Sequence, residues 1–187
     1  MIHSVKFKAV LDTNVIFPIV IRDLLFWFAY YELYTPKWST TIFEEWYEVM
    51  TRKGLSPEEA NKRTQRANHA FPDALVNNYE KLIDSLELPD VKDRHVLAAA
   101  IKSNANVIVT NNLKDFPEEY LNSFGVKAKS ADDFLTDIID LNPEIAIKAF
   151  KEMVLNRKNP KMDEFEVLES LRKVGLDDTA NYIHALL

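Results

Sequence analysis

The chain has no cysteine, and glycine occurs only three times in 187 residues, at Gly54, Gly125 and Gly175. Without thiols there are no disulfides, thiol nucleophiles, zinc fingers or iron–sulfur clusters. With the glycines isolated, neither a P-loop nor a dinucleotide-binding glycine fingerprint can be built, because each needs several glycines within a few residues. A long apolar run is missing too. The most apolar stretch, Ile19 to Leu33, is interrupted by Arg22 and Asp23 and is too short to span a bilayer. After Lys6 and Lys8 only Ala9, Val10 and Leu11 precede Asp12, so no signal peptide is expected, and the expectation is a cytoplasmic protein without membrane contact. Nor is there an excess of base: 23 basic against 29 acidic residues leave a net charge of −6, which disfavours nucleic-acid binding by bulk charge.

What is present is a globular composition, 47% hydrophobic and 28% charged. A chain of this length buries about 70% of its unfolded surface. Phe7 to Leu11 is an apolar run cut off by Asp12-Thr13-Asn14, as in a buried strand whose carboxyl end opens on a polar site. A helix is predicted over about 18–31, apolar all round from Leu24 to Tyr31 and therefore sandwiched. A second strand is expected at Leu33 to Thr35. Ser39 is the predicted N-cap of a helix reaching Lys53 and stopped by Gly54, and Ser56-Pro57-Glu58-Glu59 has the form of a capping box. A short third strand is expected around Leu82 and Ile83. Arg94 to Lys102 reads as helix, Val107 to Val109 as a buried strand ending in Thr110-Asn111-Asn112, and Val126 to Ala128 as a last strand. Ser130 caps a helix to about Asp140. Alternating strands and helices imply right-handed crossovers and a parallel sheet, whose ligands bind beyond the carboxyl ends of the strands. From Asn142-Pro143 onward only helices are expected, at about 143–156, 163–174 and 177–186. The expected division is 1–141 for an α/β domain and 142–187 for a helical extension.

Four acids fall where this architecture gathers them: Asp12 after the first strand, Glu45 on the Ser39 helix, Asp93 at the start of the alanine-rich helix, and Asp115 after the Val107–Val109 strand. Crowded carboxylates raise one another's pKa unless a cation lies between them. Oxygen ligands without cysteine or histidine select Mg²⁺ or Mn²⁺, and four carboxylates balance two such ions. Read singly, each residue also has a plain role. Asp12 and Asp93 fit helix caps, Asp115 before Phe116-Pro117 fits a turn, and Glu45 between Glu44 and Glu48 fits a solvated helix face.

Val10-Leu11-Asp12-Thr13-Asn14, Asp93-Arg94-His95-Val96-Leu97-Ala98-Ala99-Ala100 and Val109-Thr110-Asn111-Asn112-Leu113-Lys114-Asp115-Phe116 together resemble the PIN-domain nucleases, and more closely the VapC-type ribonuclease toxins of toxin–antitoxin pairs. The resemblance covers roughly residues 5–140. It implies a three-layer α/β/α sandwich with a central parallel sheet. It puts the family's first acid on Asp12 with Asn14 as polar partner, the third on Asp93 and the fourth on Asp115, with Thr110 and Asn112 in support. The second acid stands six residues after a serine ending the second strand, which gives Glu45. Glu44 is the neighbouring candidate, turned about 100° away on the helix. Asp90 is either a fifth, outer acid or a loop residue. The implied activity is RNA hydrolysis by metal-activated water at these acids, with one or two Mg²⁺ or Mn²⁺ ions, a small antitoxin partner and a homodimer.

On the substrate side, Arg52, Lys53, Lys62, Arg63 and Arg66 face only Glu58 and Glu59 in one fifteen-residue window, a local charge of +3. They are candidates for RNA phosphate contact, or else a solvated basic face. Arg94 is a further candidate, for phosphate or for a neighbouring carboxylate. His95 reads mainly as structural, and His3, His69 and His184 have no partners that suggest chemistry. Trp27, Trp38 and Trp46 read as core aromatics, with base stacking the alternative for Trp38. Two competing functions are a catalytically silent PIN scaffold binding RNA or protein, and an aspartyl-phosphate hydrolase. The latter is disfavoured because its partner acid two residues on is Asn14 here.

Overall fold

The computed structural model describes residues 7–187, so His3 lies outside the described residues. Five parallel strands, β1 (Lys8–Leu11), β2 (Thr35–Ser39), β3 (Leu75–Val76), β4 (Val107–Val109) and β5 (Lys127–Lys129), form one sheet in the order β3-β2-β1-β4-β5. The central strand is β1, and Ala9, Val10 and Leu11 are fully buried, which is why it reads as an uninterrupted apolar run. Leu11 is in register with Val109, and the Asp12 amide donates to the Val109 carbonyl at 3.1 Å. Asp12 and Thr110 therefore leave the sheet side by side.

The helices are α1 (Thr13–Ile16), α2 (Ile19–Tyr30), α3 (Thr40–Arg52), α4 (Pro57–Ala70), α5 (Glu80–Ile83), α6 (Arg94–Ser103), α7 (Glu118–Asn122), α8 (Ala131–Leu141), α9 (Pro143–Asn156), α10 (Glu164–Lys173) and α11 (Asp177–Leu186). Together they make a PIN-like α/β/α sandwich with helices following it. The α6 helix lies on β1, β2 and β4 with Val96 to Ala100 fully buried, and its three alanines let the helix come close to the sheet. It ends at Asn104 in the left-handed conformation (φ 53°). The α2 helix is held between the sheet and α9, with Leu24, Leu25 and Phe28 fully buried, although Tyr30 at its end is 66% exposed. Ser39 and Ser130 cap α3 and α8 through their hydroxyl oxygens, as the sequence indicates. Ser56 accepts from the Glu59 amide, but the Glu59 carboxylate takes Lys62 at 3.2 Å, so the reciprocal half of that capping box is diverted.

Two strands differ from expectation. The second runs from Thr35 to Ser39 rather than 33–35, passing through Pro36 in the middle of the sheet. Pro36 is tolerated because β3 pairs only with Trp38 and Ser39, so nothing opposite needs the missing N–H. The third strand is Leu75–Val76, while Leu82 and Ile83 belong to α5. Each is an apolar pair with no periodicity of its own, and the turn at Asn78 (φ 60°) separates them.

The C-terminal helices pack onto the sandwich rather than away from it. Asp132 on α8 accepts from the amides of Asp178 and Thr179 at 3.0 and 2.8 Å and from the Thr179 hydroxyl at 2.6 Å, capping α11. Among the described residues no helix is long and apolar enough to cross a membrane.

Candidate functional site

The polar ends of β1 and β4 are tied by one hydrogen-bond network. Asp12 is 5% exposed. Its Oδ1 accepts from the Thr13 amide at 2.7 Å, and its Oδ2 accepts from the Asn14 amide nitrogen at 2.6 Å and the Thr110 hydroxyl at 2.8 Å. Thr110 in turn accepts from the Asn112 amide at 3.1 Å, and Asn14 Oδ1 accepts from the Asn111 amide at 2.9 Å. Burial pushes the Asp12 carboxyl above its ordinary range, and the Thr110 and Thr13 hydrogen bonds oppose this without cancelling it. Asp12 thus caps α1, as its plain role suggests, and its charge is also held toward the other acids.

Asp93 stands at the N-terminal end of α6 but makes no capping bond with its side chain. Oxygens of Asp90, Asp93 and Asp115 all lie within 4.8 Å of one another, a spacing a single cation can bridge. The Asn112 amide nitrogen donates to both Asp93 Oδ2, at 3.4 Å, and Asp115 Oδ2, and so holds the two carboxylates together. Burial, then the charges of Asp12, Asp90 and Asp115, push Asp93 up to about 6, with His95 acting in the opposite direction. The donor set is oxygen only, partly solvent-exposed and mutually repulsive, which fits a hard dication such as Mg²⁺ or Mn²⁺. Asp90 belongs to this cluster on geometry, and it also caps the turn before α6 by accepting from the Lys92 amide at 2.9 Å.

Of the two adjacent glutamates, Glu45 turns toward the acids. Its Oε2 accepts from the Thr13 hydroxyl at 2.6 Å, and its Oε1 faces His95 Nε2 at 3.0 Å. Because a carboxylate only accepts, Nε2 carries the proton of that pair. Burial raises the Glu45 carboxyl, but the His95 and Thr13 hydrogen bonds and the charges of His95 and Lys92 outweigh it, leaving Glu45 below its ordinary range. Glu44 instead lines a groove of about 510 Å³ between α3 and α4, with Tyr47, Asn61 and Asn68. The acids divide into two groups: Asp90, Asp93 and Asp115 share one cluster, while Asp12 and Glu45 approach it from β1 and α3 with their oxygens already bonded.

The partners of Glu45 were not legible as such. Thr13 is hidden between two more conspicuous polar residues. His95 lies close to Asp93 in sequence, but only the tertiary fold, which brings the start of α6 to Glu45 on α3, shows what it reaches. The cations of the window from Arg52 to Arg66 differ in their surroundings. Lys62 is paired with Glu58 at 2.9 Å and with Glu59 on its own helix, whereas Arg52, Lys53 and Arg66 are exposed and Arg63 half-buried. Arg94 is half-buried, and its buried Nε has no acceptor among the described residues. Trp38 is fully buried, stacked on Phe43 and donating to Asn68 at 2.8 Å, so base stacking does not apply to it.

Comparison with known proteins places the chain by family. A family model described as PIN domain matches residues 8–114, and one described as VapC50 C-terminal domain matches residues 131–185. The protein named "Putative ribonuclease VapC50" from Mycobacterium tuberculosis (strain ATCC 25618 / H37Rv) is 38% identical over 105 residues, 56% of this chain and 62% of that relative. The chain thus matches less than two thirds of that relative's length. No solved structure matches.

Proposed function

Because the chain belongs to the PIN-domain family, we propose that it is a metal-dependent endoribonuclease that hydrolyses RNA phosphodiester bonds. The observation that carries this reading is the convergence of Asp90, Asp93 and Asp115 within 4.8 Å, beside the bonded carboxylates of Asp12 and Glu45. Asp12, Glu45, Asp93 and Asp115 are the acids assigned to hold Mg²⁺ or Mn²⁺, and Asp90 joins them as a candidate ligand. When bound, such an ion supplies a Lewis acid for the phosphoryl oxygen and a water acidified for attack near neutral pH.

The chain's own residues supply orientation. Asn112 keeps Asp93 and Asp115 together, Asn14 and Thr110 fix Asp12, and Thr13 and His95 aim Glu45. Rigid placement of this kind lets charge be stabilised without reorganisation at the moment of reaction. In this reading residues 1–141 carry the catalysis and 142–187 form a helical extension. The relative's name includes "ribonuclease", which supports the substrate class. In line with the VapC resemblance, the protein would act in the cytoplasm as the toxin of a toxin–antitoxin pair, with a small antitoxin covering the acidic site and a homodimer as the assembled form.

The test is cleavage of structured RNAs by the purified full chain with Mg²⁺, Mn²⁺ or chelator. Asp12→Asn and Asp93→Asn should each abolish metal-dependent cleavage while keeping the fold. Cleavage unchanged in both variants would reject these acids as its source, and absence of cleavage by the wild-type chain with either metal would leave a scaffold that binds without catalysis.

A further inference from the structure

Asn111 stands between Thr110 and Asn112, two residues that bond to the acids, yet its own bonds lead elsewhere. Its backbone amide donates to Asn14 Oδ1 at 2.9 Å, and its side-chain Oδ1 accepts from the Ala131 amide at 3.1 Å. Asn14 in turn donates from Nδ2 to Asp12 Oδ2 at 2.6 Å and to the Thr110 hydroxyl at 2.9 Å. A continuous line of hydrogen bonds thus runs from the first residue of α8 to the Asp12 carboxylate. The orientation of the Asn14 carboxamide depends on it. The two ends of a carboxamide have nearly the same shape and differ in that one accepts and the other donates. The Asn111 amide claims the accepting end, which leaves the donating end for Asp12 and Thr110. Turned the other way, the Asn14 carbonyl would face the Asp12 carboxylate, and two acceptors would meet with no proton between them.

The loop that carries Asn111 is held from the α8 side. The Thr110 amide donates to the carbonyl of Lys129, the last residue of β5, at 2.9 Å. Two residues further on, Ala131 gives its amide to Asn111. Ser130 caps α8 by accepting from the Asp133 amide, so the Ala131 amide is one that the ordinary cap leaves over. The helix itself is firmly seated. Ala131 is fully buried, α8 packs on α9 and α11, and the Asp132 carboxylate accepts from the amides of Asp178 and Thr179 in α11. The Asn111 side chain, by contrast, is exposed, so no core packing depends on it. What it supplies is the tie between the loop and α8.

We propose that Asn111 is a positioning residue for the metal site: it fastens the loop after β4 to the start of α8 and so sets which way round Asn14 meets Asp12. The seat of α8 therefore bears on the Asp12 carboxylate although α8 contributes no acid to the cluster. Partners of this kind, one bond removed from a metal ligand, orient the ligand and tune its affinity for the ion. This inference rests on the metal-dependent reading above.

The test compares the full chain with two variants. Asn111→Ala deletes the acceptor, and Asn111→Asp keeps an oxygen in its place, at a helix N-terminus where a carboxylate is favoured. Mn²⁺ affinity is measured by electron paramagnetic resonance of the free ion, and the Asn14 side-chain amide signals by heteronuclear NMR of the metal-free protein. In Asn111→Ala the dissociation constant for Mn²⁺ should rise about tenfold, the lower end of the loss when an outer partner is removed. The Asn14 signals should move toward those of a solvated carboxamide, while Tm falls by no more than about 4 °C. Asn111→Asp should return the Asn14 signals to their wild-type positions, which added charge alone does not do. Affinity and Asn14 signals unchanged in Asn111→Ala would overturn the proposal, whatever the change in Tm. Asn14 signals displaced equally in Asn111→Asp would overturn it too, because the acceptor would then not be what matters. Failure of the ribonuclease reading has a different signature: a wild-type chain that binds no Mn²⁺, or binds it and never cleaves RNA. The Asn14 signals still decide the role of Asn111 in that case.

Discussion

At the scale of single residues, two acids of the site, one inside the cluster and one beside it, should have opposite effects on stability. Asp93 has its carboxyl raised from 3.8 to about 6. Between those values the folded chain holds a proton that the unfolded chain releases. Its contribution is therefore complete at low pH and is lost as pH rises through about 6. Asp93→Asn should accordingly stabilise the metal-free protein at about pH 7 by on the order of 1 kcal/mol, after discounting for solvent screening of a half-exposed group. That is roughly 2–4 °C in Tm by calorimetry. The gain should vanish near pH 4, where the native carboxyl is already neutral. A lower Tm for Asp93→Asn at neutral pH would show that the crowding is relieved in some other way. Asp12 should behave oppositely. Its carboxylate accepts from Thr13, Asn14 and Thr110, so Asp12→Ala orphans buried donors and should cost about 1–3 kcal/mol, measurable by denaturant unfolding. These residues were legible because Asp12, Asn14, Thr110, Asn112 and Asp115 follow directly on short apolar strands. His95 and Thr13 were not, because their shared partner, Glu45, is brought to them only by tertiary packing.

Among the elements, the helices were more legible than the strands, and the reason is where their signals are written. Helix ends are marked locally, by Ser39, Ser56 and Ser130 at N-termini and by Gly54 and Gly175 past C-termini, and the structure uses each of them. Strands of two to five residues lack a period to read, and their position is decided by neighbours. Pro36 in β2 is acceptable only because β3 is too short to reach it, which no local pattern announces. Two element-scale expectations follow from the caps. Ser39 caps the helix that presents Glu45, so Ser39→Ala should cost about 1 kcal/mol and lower metal affinity along with it. Asp132 caps α11 from α8, so Asp132→Ala should speed amide exchange throughout α11 while leaving the α6 amides protected. Exchange rising equally in both helices would mean that α11 unfolds only with the whole chain.

For the molecule as a whole, a net charge of −6 sets a condition that local structure has to meet. A chain of this charge repels a polyanion at long range, so in the ribonuclease reading proposed above RNA is received by a focused feature, a dication at the acids. A dication held there would also relieve the repulsion among Asp90, Asp93 and Asp115. Mg²⁺ or Mn²⁺ at about 100 times its dissociation constant should add roughly 2.7 kcal/mol of stability, reversed by chelator. The most direct measurement is anomalous diffraction from a crystal of the full chain grown with Mn²⁺. The expected result is a peak between the carboxylates of Asp93 and Asp115, within bonding distance of both. A fully loaded crystal with its only peaks elsewhere, or with none, would contradict the account.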